Sequence, residues 1–254
     1  MPKSIVILGH RGGAPGYGEN TLGAFEAGLA AGAEVLETDA RLSADGAVVL
    51  CHDPDTRRIA AVNRNIATSQ WRDLKPLTLP TEVGTQHLCT LDEALHRFPS
   101  AHFNVDLKTK DSALARAVLR ALRAARAADR VVVASFSVRA LARFRRMAPQ
   151  VRTSAHPLEV LWALATTWLG LPLRIKAVAL QVPVRAGWLP VVTPRLARHL
   201  RRAGIALQVW TINDPAEALA LVRLGATGIV TDDVAAMRRA LARAAPERDN
   251  RVSV

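Results

Sequence analysis

Short runs of β-branched and other apolar residues alternate along the chain with longer segments whose apolar positions recur at helical spacing. The extended runs fall at residues 4–8, 34–38, 102–107, 130–134, 151–154, 177–181, 206–210 and 227–230. Helical patterns occupy residues 21–31, 91–97, 113–127, 138–147, 158–169, 194–203, 215–224 and 234–244. Strands read as buried on both faces, each followed by a helix, imply a parallel sheet. Eight such units predict a closed α/β fold, a TIM-like (β/α)8 barrel, over an open doubly wound sheet.

Two segments stand outside this alternation. Residues 47–51 predict a short extra strand, joined through Asp45-Gly46 to the region after Asp39, as a local extension and not a ninth barrel member. Residues 54–89, with Trp71, Leu74 and three prolines, hold no barrel element and read as an insertion after the second barrel strand, lying over the strand ends in the manner of a lid. No Pro/Gly/Ser-rich linker divides the chain. One domain over residues 1–244 is expected, with 245–254 as a flexible tail.

The chain has 254 residues, 50% of them apolar and 22% charged, a balance that excludes general disorder. Its net charge of +12 is unevenly spread. Residues 1–56 carry three basic and eight acidic groups, whereas residues 57–254 carry 31 basic and 14 acidic groups. Most of the basic residues are arginines in Ala/Leu/Arg segments, the wet faces of helices. With no aromatic-interleaved basic strand and no zinc-finger spacing, nucleic acid is disfavoured as a partner. Cys51 and Cys89 form no CxxC pair and read as reduced core residues. The apolar run before Gly9 is too short for a signal peptide, and residues 160–173 are too few to span a bilayer. A soluble, cytoplasmic protein is expected.

The acidic N-terminal region matters because of where its charges fall. In a barrel the C-terminal ends of the strands share one opening. His10 follows the first strand, Glu37 and Asp39 end the second, and Asp106 ends the third. Period-two alternation puts Glu37 and Asp39 on one face, and Asn104, Asp106 and Lys108 on one row. Three carboxylates brought together repel one another unless a cation or a proton intervenes. A divalent metal bound by oxygen ligands, Mg2+ or Ca2+, satisfies that requirement. The plainer alternative is local: Glu37 caps or pairs nearby, Asp39 opens a turn and Asp106 pairs with Lys108.

His10 and His52 can each accept or donate a proton near neutral pH, which suits acid and base roles in one site. Arg11 and Lys108 can neutralise a phosphate. The other five histidines lack comparable neighbours and read as structural. Gly12, Gly13, Gly16 and Gly18 allow close approach of an anion but lack a phosphate-loop Lys/Ser ending. Asn20 is expected to cap the first helix, and Glu19 to reach His10 or the metal shell. The helix at 158–169, uncharged at its outer positions and carrying Trp162 and Trp168, either packs an apolar face on the barrel or touches an anionic membrane.

Together these residues resemble the glycerophosphodiester phosphodiesterase family. The resemblance rests on Gly9-His10-Arg11-Gly12, Glu19-Asn20-Thr21-Leu22, Gly32-Ala33 leading to Glu37-Thr38-Asp39, and Val49-Leu50-Cys51-His52-Asp53. It continues through Thr90–Leu95, Asn104–Lys108, Ser135-Phe136, Val209–Asn213 and Gly225 to Asp232. It implies a TIM-like barrel that uses one divalent cation (Mg2+ or Ca2+, with Mn2+ as a further candidate) to hydrolyse small glycerophosphodiesters to glycerol 3-phosphate and an alcohol. It further implies His10 and His52 as the catalytic pair, Glu37, Asp39 and Asp106 as metal ligands, and Arg11 and Lys108 as phosphate contacts. Trp210 would be a wall of the glycerol pocket. The sequence departs from the family pattern in having Asp106 where Glu is common, a small Gly-rich insertion after His10, and Arg57-Arg58-Ile59 after Asp53. Three other functions fit the same residues: lysophospholipase D-like hydrolysis of membrane lysophospholipids, a noncatalytic phospholipid- or metabolite-binding barrel, and a nuclease.

Overall fold

A computed structural model describes residues 5–244; the expected tail at 245–254 lies outside the described residues. Eight parallel strands form the barrel wall: β1 (Val6–Gly9), β2 (Val35–Leu42), β3 (His102–Leu107), β4 (Val131–Ala134), β5 (Arg152–Thr153), β6 (Ala179–Val182), β7 (Ala206–Val209) and β8 (Gly228–Thr231). They pair in the order β5-β4-β3-β2-β1-β8-β7-β6, each strand beside its neighbour in sequence. Closure comes from a parallel bridge between Ser154 and Ala179. Two backbone hydrogen bonds support it, Val178 N–H to Thr153 O at 2.9 Å and Ala155 N–H to Ala179 O at 2.8 Å. This is the TIM-like barrel that the alternation predicts.

The eight helices that follow the strands are α1 (Leu22–Ala30), α2 (Leu91–Arg97), α3 (Ser112–Ala124), α4 (Val138–Met147), α5 (Pro157–Leu169), α6 (Pro194–Arg202), α7 (Pro215–Leu224) and α8 (Val234–Ala244). Their sequences start them sharply. Thr90 caps α2 in a reciprocal box with Glu93, and Pro lies in the first turn of α5, α6 and α7, where the absent N–H leaves no unmet donor. At α1 the cap is Thr21, whose Oγ1 accepts from Ala24 N at 3.0 Å. The expectation that Asn20 would cap it is corrected: Asn20 stands one residue too early, at a positive φ of 57°, and its side chain turns into the site described below.

The strands' inner and outer faces bury one continuous apolar core, with Phe25 of α1 packed edge-to-face on Phe103 of β3 at 5.9 Å. α1 lies close to the turn after β1. A Cβ on Gly28 would sit 1.9 Å from Gly12 O, so the helix approaches the His10–Gly12 backbone only because position 28 has no side chain.

The short strand Val48–Leu50 runs antiparallel to the outer end of β2, pairing Leu50 with Ala40 and Val48 with Leu42. Residues 54–89 contain a 3-10 turn (Ile66–Thr68), a four-residue helix (Trp71–Leu74) and a hairpin of Thr78–Thr81 with Gly84–His87. Ile66, Leu74, Leu79 and Leu88 join Val49 and Cys51 in a second, smaller apolar cluster. A further hairpin, Arg185–Ala186 with Leu189–Pro190, projects after β6 and has no counterpart in the sequence reading. Among the described residues no helix is long and apolar enough to cross a membrane.

Candidate active site

A cavity of about 510 Å³ opens at the C-terminal ends of the strands. Eight of the nine residues singled out in the sequence line it: His10, Arg11, Glu37, Asp39, His52, Asp106, Lys108 and Trp210. Glu19 is the exception. Its carboxylate pairs with Arg11 at 2.9 Å and with Arg58 at 2.6 Å, and does not contact His10. No residue of 54–89 lines this cavity, whose outer wall is built instead by Phe136, by α5 and by the segment after β6.

The carboxylates meet because β2 and β3 pair in register, setting Asp39 beside Asp106 and Glu37 beside Asn104. Lys108, two residues beyond Asp106, places Nζ 2.8 Å from both Asp39 Oδ1 and Asp106 Oδ2. Asn20 donates to Asp39 Oδ2 at 3.0 Å, while its own Oδ1 accepts from Thr38 Oγ1 at 2.6 Å and from Asp39 N at 3.2 Å. Arg11 Nε lies 3.2 Å from Asp39 Oδ2 as an ion pair without hydrogen-bond geometry.

These neighbours give the three acids different tendencies. Burial pushes the Asp39 carboxyl up, but Lys108, Asn20 and Arg11 together outweigh it and hold the group below the usual aspartate range. For Asp106 burial wins over Lys108, and the group is raised. Glu37 is raised well above the usual range by burial and then by the Asp39 charge, although Arg11 N–H donates to it at 3.0 Å. Burial would lower Lys108, and its two carboxylate partners raise it instead.

Among the described residues no three His, Cys, Asp or Glu side chains already form a metal cage. The donor chemistry nevertheless fits a hard divalent cation: oxygen ligands only, one ammonium against three carboxylates, and Asp106 Oδ1 buried without any hydrogen-bond partner.

The two imidazoles are held alike. His10 Nδ1 lies 2.6 Å from Asp232 Oδ1, and Asp232 is itself fixed by Asn213, whose amide donates to Oδ2 at 2.7 Å and whose Oδ1 accepts from Asp232 N at 2.8 Å. His52 Nδ1 lies 2.8 Å from Asp53 Oδ1, and Arg58 Nε holds the other Asp53 oxygen at 2.7 Å. A carboxylate on Nδ1 selects the tautomer with the proton there, leaving Nε2 free to exchange a proton with a bound ligand. His10 Nε2 is 4.0 Å from Glu37 Oε2, on the cavity side. The hydrogen bonds from His10 and Asn213 hold Asp232 below the usual range, and those from His52 and Arg58 do the same for Asp53.

The cavity thus presents two oriented imidazoles, three carboxylates, an ammonium and a guanidinium around space for a small anion. A family model described as the glycerophosphoryl diester phosphodiesterase family matches residues 10–236, which include every one of these groups. The chain belongs to that family.

Glycerophosphoryl diester phosphodiesterases are hydrolases, and membership makes this chain an enzyme that hydrolyses glycerophosphodiesters. A Mycobacterium tuberculosis protein named "Probable glycerophosphodiester phosphodiesterase 2" is 29% identical over 87% of this chain and 84% of its own length. The human lysophospholipase D GDPD3 is 25% identical over 94% of this chain and 86% of its own. The crystal structure of an Oleispira antarctica phosphodiesterase, in complex with the product sn-glycerol-3-phosphate, shares the fold with a TM-score of 0.76 at 21% identity, covering 93% of this chain and 96% of that one.

Within this phosphodiesterase fold, the sequence reading left Asp53, Asn213 and Asp232 without a role in the site and took Arg58 only as part of a departure from the family pattern. Asp53 was the most accessible of these, because it adjoins His52. The pairing of Asp232 with His10 spans 222 positions and needs the closure of β8 on β1. Trp210 lines the cavity and packs edge-to-face on Phe136 with centroids 6.0 Å apart.

Proposed function

We propose that this enzyme cleaves glycerophosphodiesters to glycerol 3-phosphate and an alcohol by acid–base exchange through His10 and His52, assisted by one divalent cation. The observation that carries the reading is the pair of imidazoles, each with Nδ1 on a carboxylate and both on the wall of one cavity with the acidic cluster. One imidazole accepts the proton of the attacking oxygen, and the other gives a proton to the leaving alkoxide. The attacking oxygen belongs either to the substrate's own glycerol, by way of a cyclic phosphate, or to water. In sum a water molecule supplies hydroxyl to phosphorus and hydrogen to the alcohol, and one P–O bond breaks.

Glu37, Asp39 and Asp106 would hold the cation, Mg2+ or Ca2+ with Mn2+ as a third candidate, and its charge would lower the cost of negative charge on a phosphoryl oxygen. Arg11 keeps Glu37 in place through its backbone N–H and approaches Asp39 through its side chain. Lys108 keeps Asp39 and Asp106 together, and its remaining donor capacity serves the phosphate. Trp210 bounds the glycerol side, and Glu19 links Arg11 to Arg58 and so to the His52 support. Residues 1–244 act as one catalytic domain, with 54–89 as an insertion that braces His52 through Arg58.

The test is hydrolysis of sn-glycero-3-phosphocholine with Mg2+, Ca2+ and Mn2+ supplied in turn. The double variant His10→Ala/His52→Ala should lose turnover in all three while unfolding near the wild-type temperature. Retained turnover would refute the histidine pair.

A further inference from the structure

Helix α5 carries an apolar stripe that the barrel does not use. Leu158, Leu161, Trp162, Ala165, Trp168 and Leu169 recur at helical spacing along its outer face and are all exposed, Trp168 to 70%. The opposite face, with Ala163, Thr166 and Thr167, is the one that is buried. On the hairpin after β6, Trp188 at the tip is 84% exposed. Solvated helices normally place charge where this stripe places Leu and Trp, and a contiguous exposed apolar surface marks a contact site.

The stripe runs into the cavity. Leu161 is exposed on the surface and also lines the cavity, together with Val160 and Leu164 of the same helix, Ala186 of the hairpin, and Phe136. A surface patch and a reaction site thus share one apolar wall. The segment that carries it is strongly basic. Residues 157–202 contain seven Lys or Arg and a single acid, Glu159, which Arg145 engages at 2.7 Å. Arg195 places its guanidinium 5.1 Å from the Trp168 ring and donates to Trp168 O at 3.2 Å, and Arg185 donates to Trp188 O. Aromatic rings flanked by cations suit the boundary between acyl chains and anionic headgroups. α5 has 13 residues, which fits lying on a bilayer and not crossing it.

We propose that the outer face of α5 and the Trp188 hairpin dock on an anionic phospholipid surface, with the Leu and Trp side chains at the acyl boundary and the basic residues of the same segment toward the headgroups. The docking is independent of the hydrolytic reading of the cavity.

The experiment compares wild type with Trp168→Asp/Trp188→Asp, neither residue lining the cavity. Partition is measured on vesicles of phosphatidylcholine with about one-third phosphatidylglycerol and on pure phosphatidylcholine. The wild type should sediment with the anionic vesicles and much less with neutral ones. The variant should lose at least about tenfold in partition, with unchanged kcat/KM on soluble glycerophosphocholine. The milder Trp168→Ala/Trp188→Ala should shift partition in the same direction. A wild type that stays in solution, or a variant that partitions equally, overturns the proposal. So does light scattering that shows a wild-type dimer broken by the substitutions, which would assign the patch to a second copy. Partition is read without turnover, so failure of the wild type to hydrolyse soluble glycerophosphocholine would count against the hydrolytic reading alone.

Discussion

Replacing Asp232 with Asn exchanges one oxygen for an amide in the pair that orients His10, and the geometry fixes what must follow. Both Asp232 oxygens accept hydrogen bonds, Oδ1 from His10 and Oδ2 from Asn213. An Asn has one acceptor oxygen. If it faces Asn213, the new NH2 faces His10 Nδ1 and forces the imidazole proton onto Nε2, the nitrogen proposed to exchange with the ligand. If it faces His10, two amide donors confront each other. A hydrogen bond to a charged partner contributes about 1.5–3 kcal/mol, and because Asp232 is half-exposed the lower end applies. About 1.5 kcal/mol is roughly a tenfold loss of kcat/KM. The tautomer effect comes on top of this in Asn but not in Ala, which leaves His10 free to choose. Activity on glycerophosphocholine should therefore fall in the order wild type, Asp232→Ala, Asp232→Asn, with Asn at least about a hundredfold below wild type. The reasoning fails if Asp232→Asn stays within about twofold of wild type, or if Ala is the worse of the two.

Two further substitutions test the frame around the site. Glu159 bonds Arg145 through both oxygens, at 2.7 and 2.9 Å, and although burial alone would raise its carboxyl, Arg145 and the His156 N–H bring it below the usual range. A lowered carboxyl stabilises the fold above its unfolded value of about 4.3, and that stability is lost as pH falls through the folded value. Glu159→Gln should accordingly cost about 2 kcal/mol at neutral pH in urea unfolding, with the gap closing below about pH 4. A gap that widens in acid would reverse the sign. Gly28→Ala in an ordinary helix interior would gain about 1 kcal/mol. Here the new Cβ meets Gly12 O at 1.9 Å, so destabilisation by at least about 3 kcal/mol is expected, along with loss of activity through displacement of the His10–Gly12 turn. A stabilised Gly28→Ala would show that α1 does not press on that turn.

What the sequence displays depends on how local the cause is. The barrel is legible because every strand–helix unit repeats the same local alternation, and the carboxylates are legible because Glu37, Asp39 and Asp106 lie on adjacent strand ends. β5 is harder to see: only Arg152–Thr153 keep ladder geometry, although 151–154 reads as a full strand. The Arg185–Pro190 hairpin is short and carries no alternation to betray it. Asn20 and Thr21 are both good caps by type, and only the positive φ at Asn20, which frees its amide to hold Asp39, separates their roles. The supports of the two histidines divide in the same way. Asp53 is adjacent to its partner, whereas Asp232 becomes a neighbour of His10 only once the first and last strands pair. Exposure of the α5 stripe is likewise a tertiary fact, because an apolar helix in sequence reads equally well as core.

The joint between β5 and β6 gives the barrel a directional weakness. Six residue pairs lock β2 to β3 beneath the carboxylates, while a single bridge and two backbone hydrogen bonds span the side that carries Ala155 and Pro183. Both of those residues border the cavity. Fewer backbone bonds therefore hold the wall together on that side of the cavity than between the two strands that carry Glu37, Asp39 and Asp106.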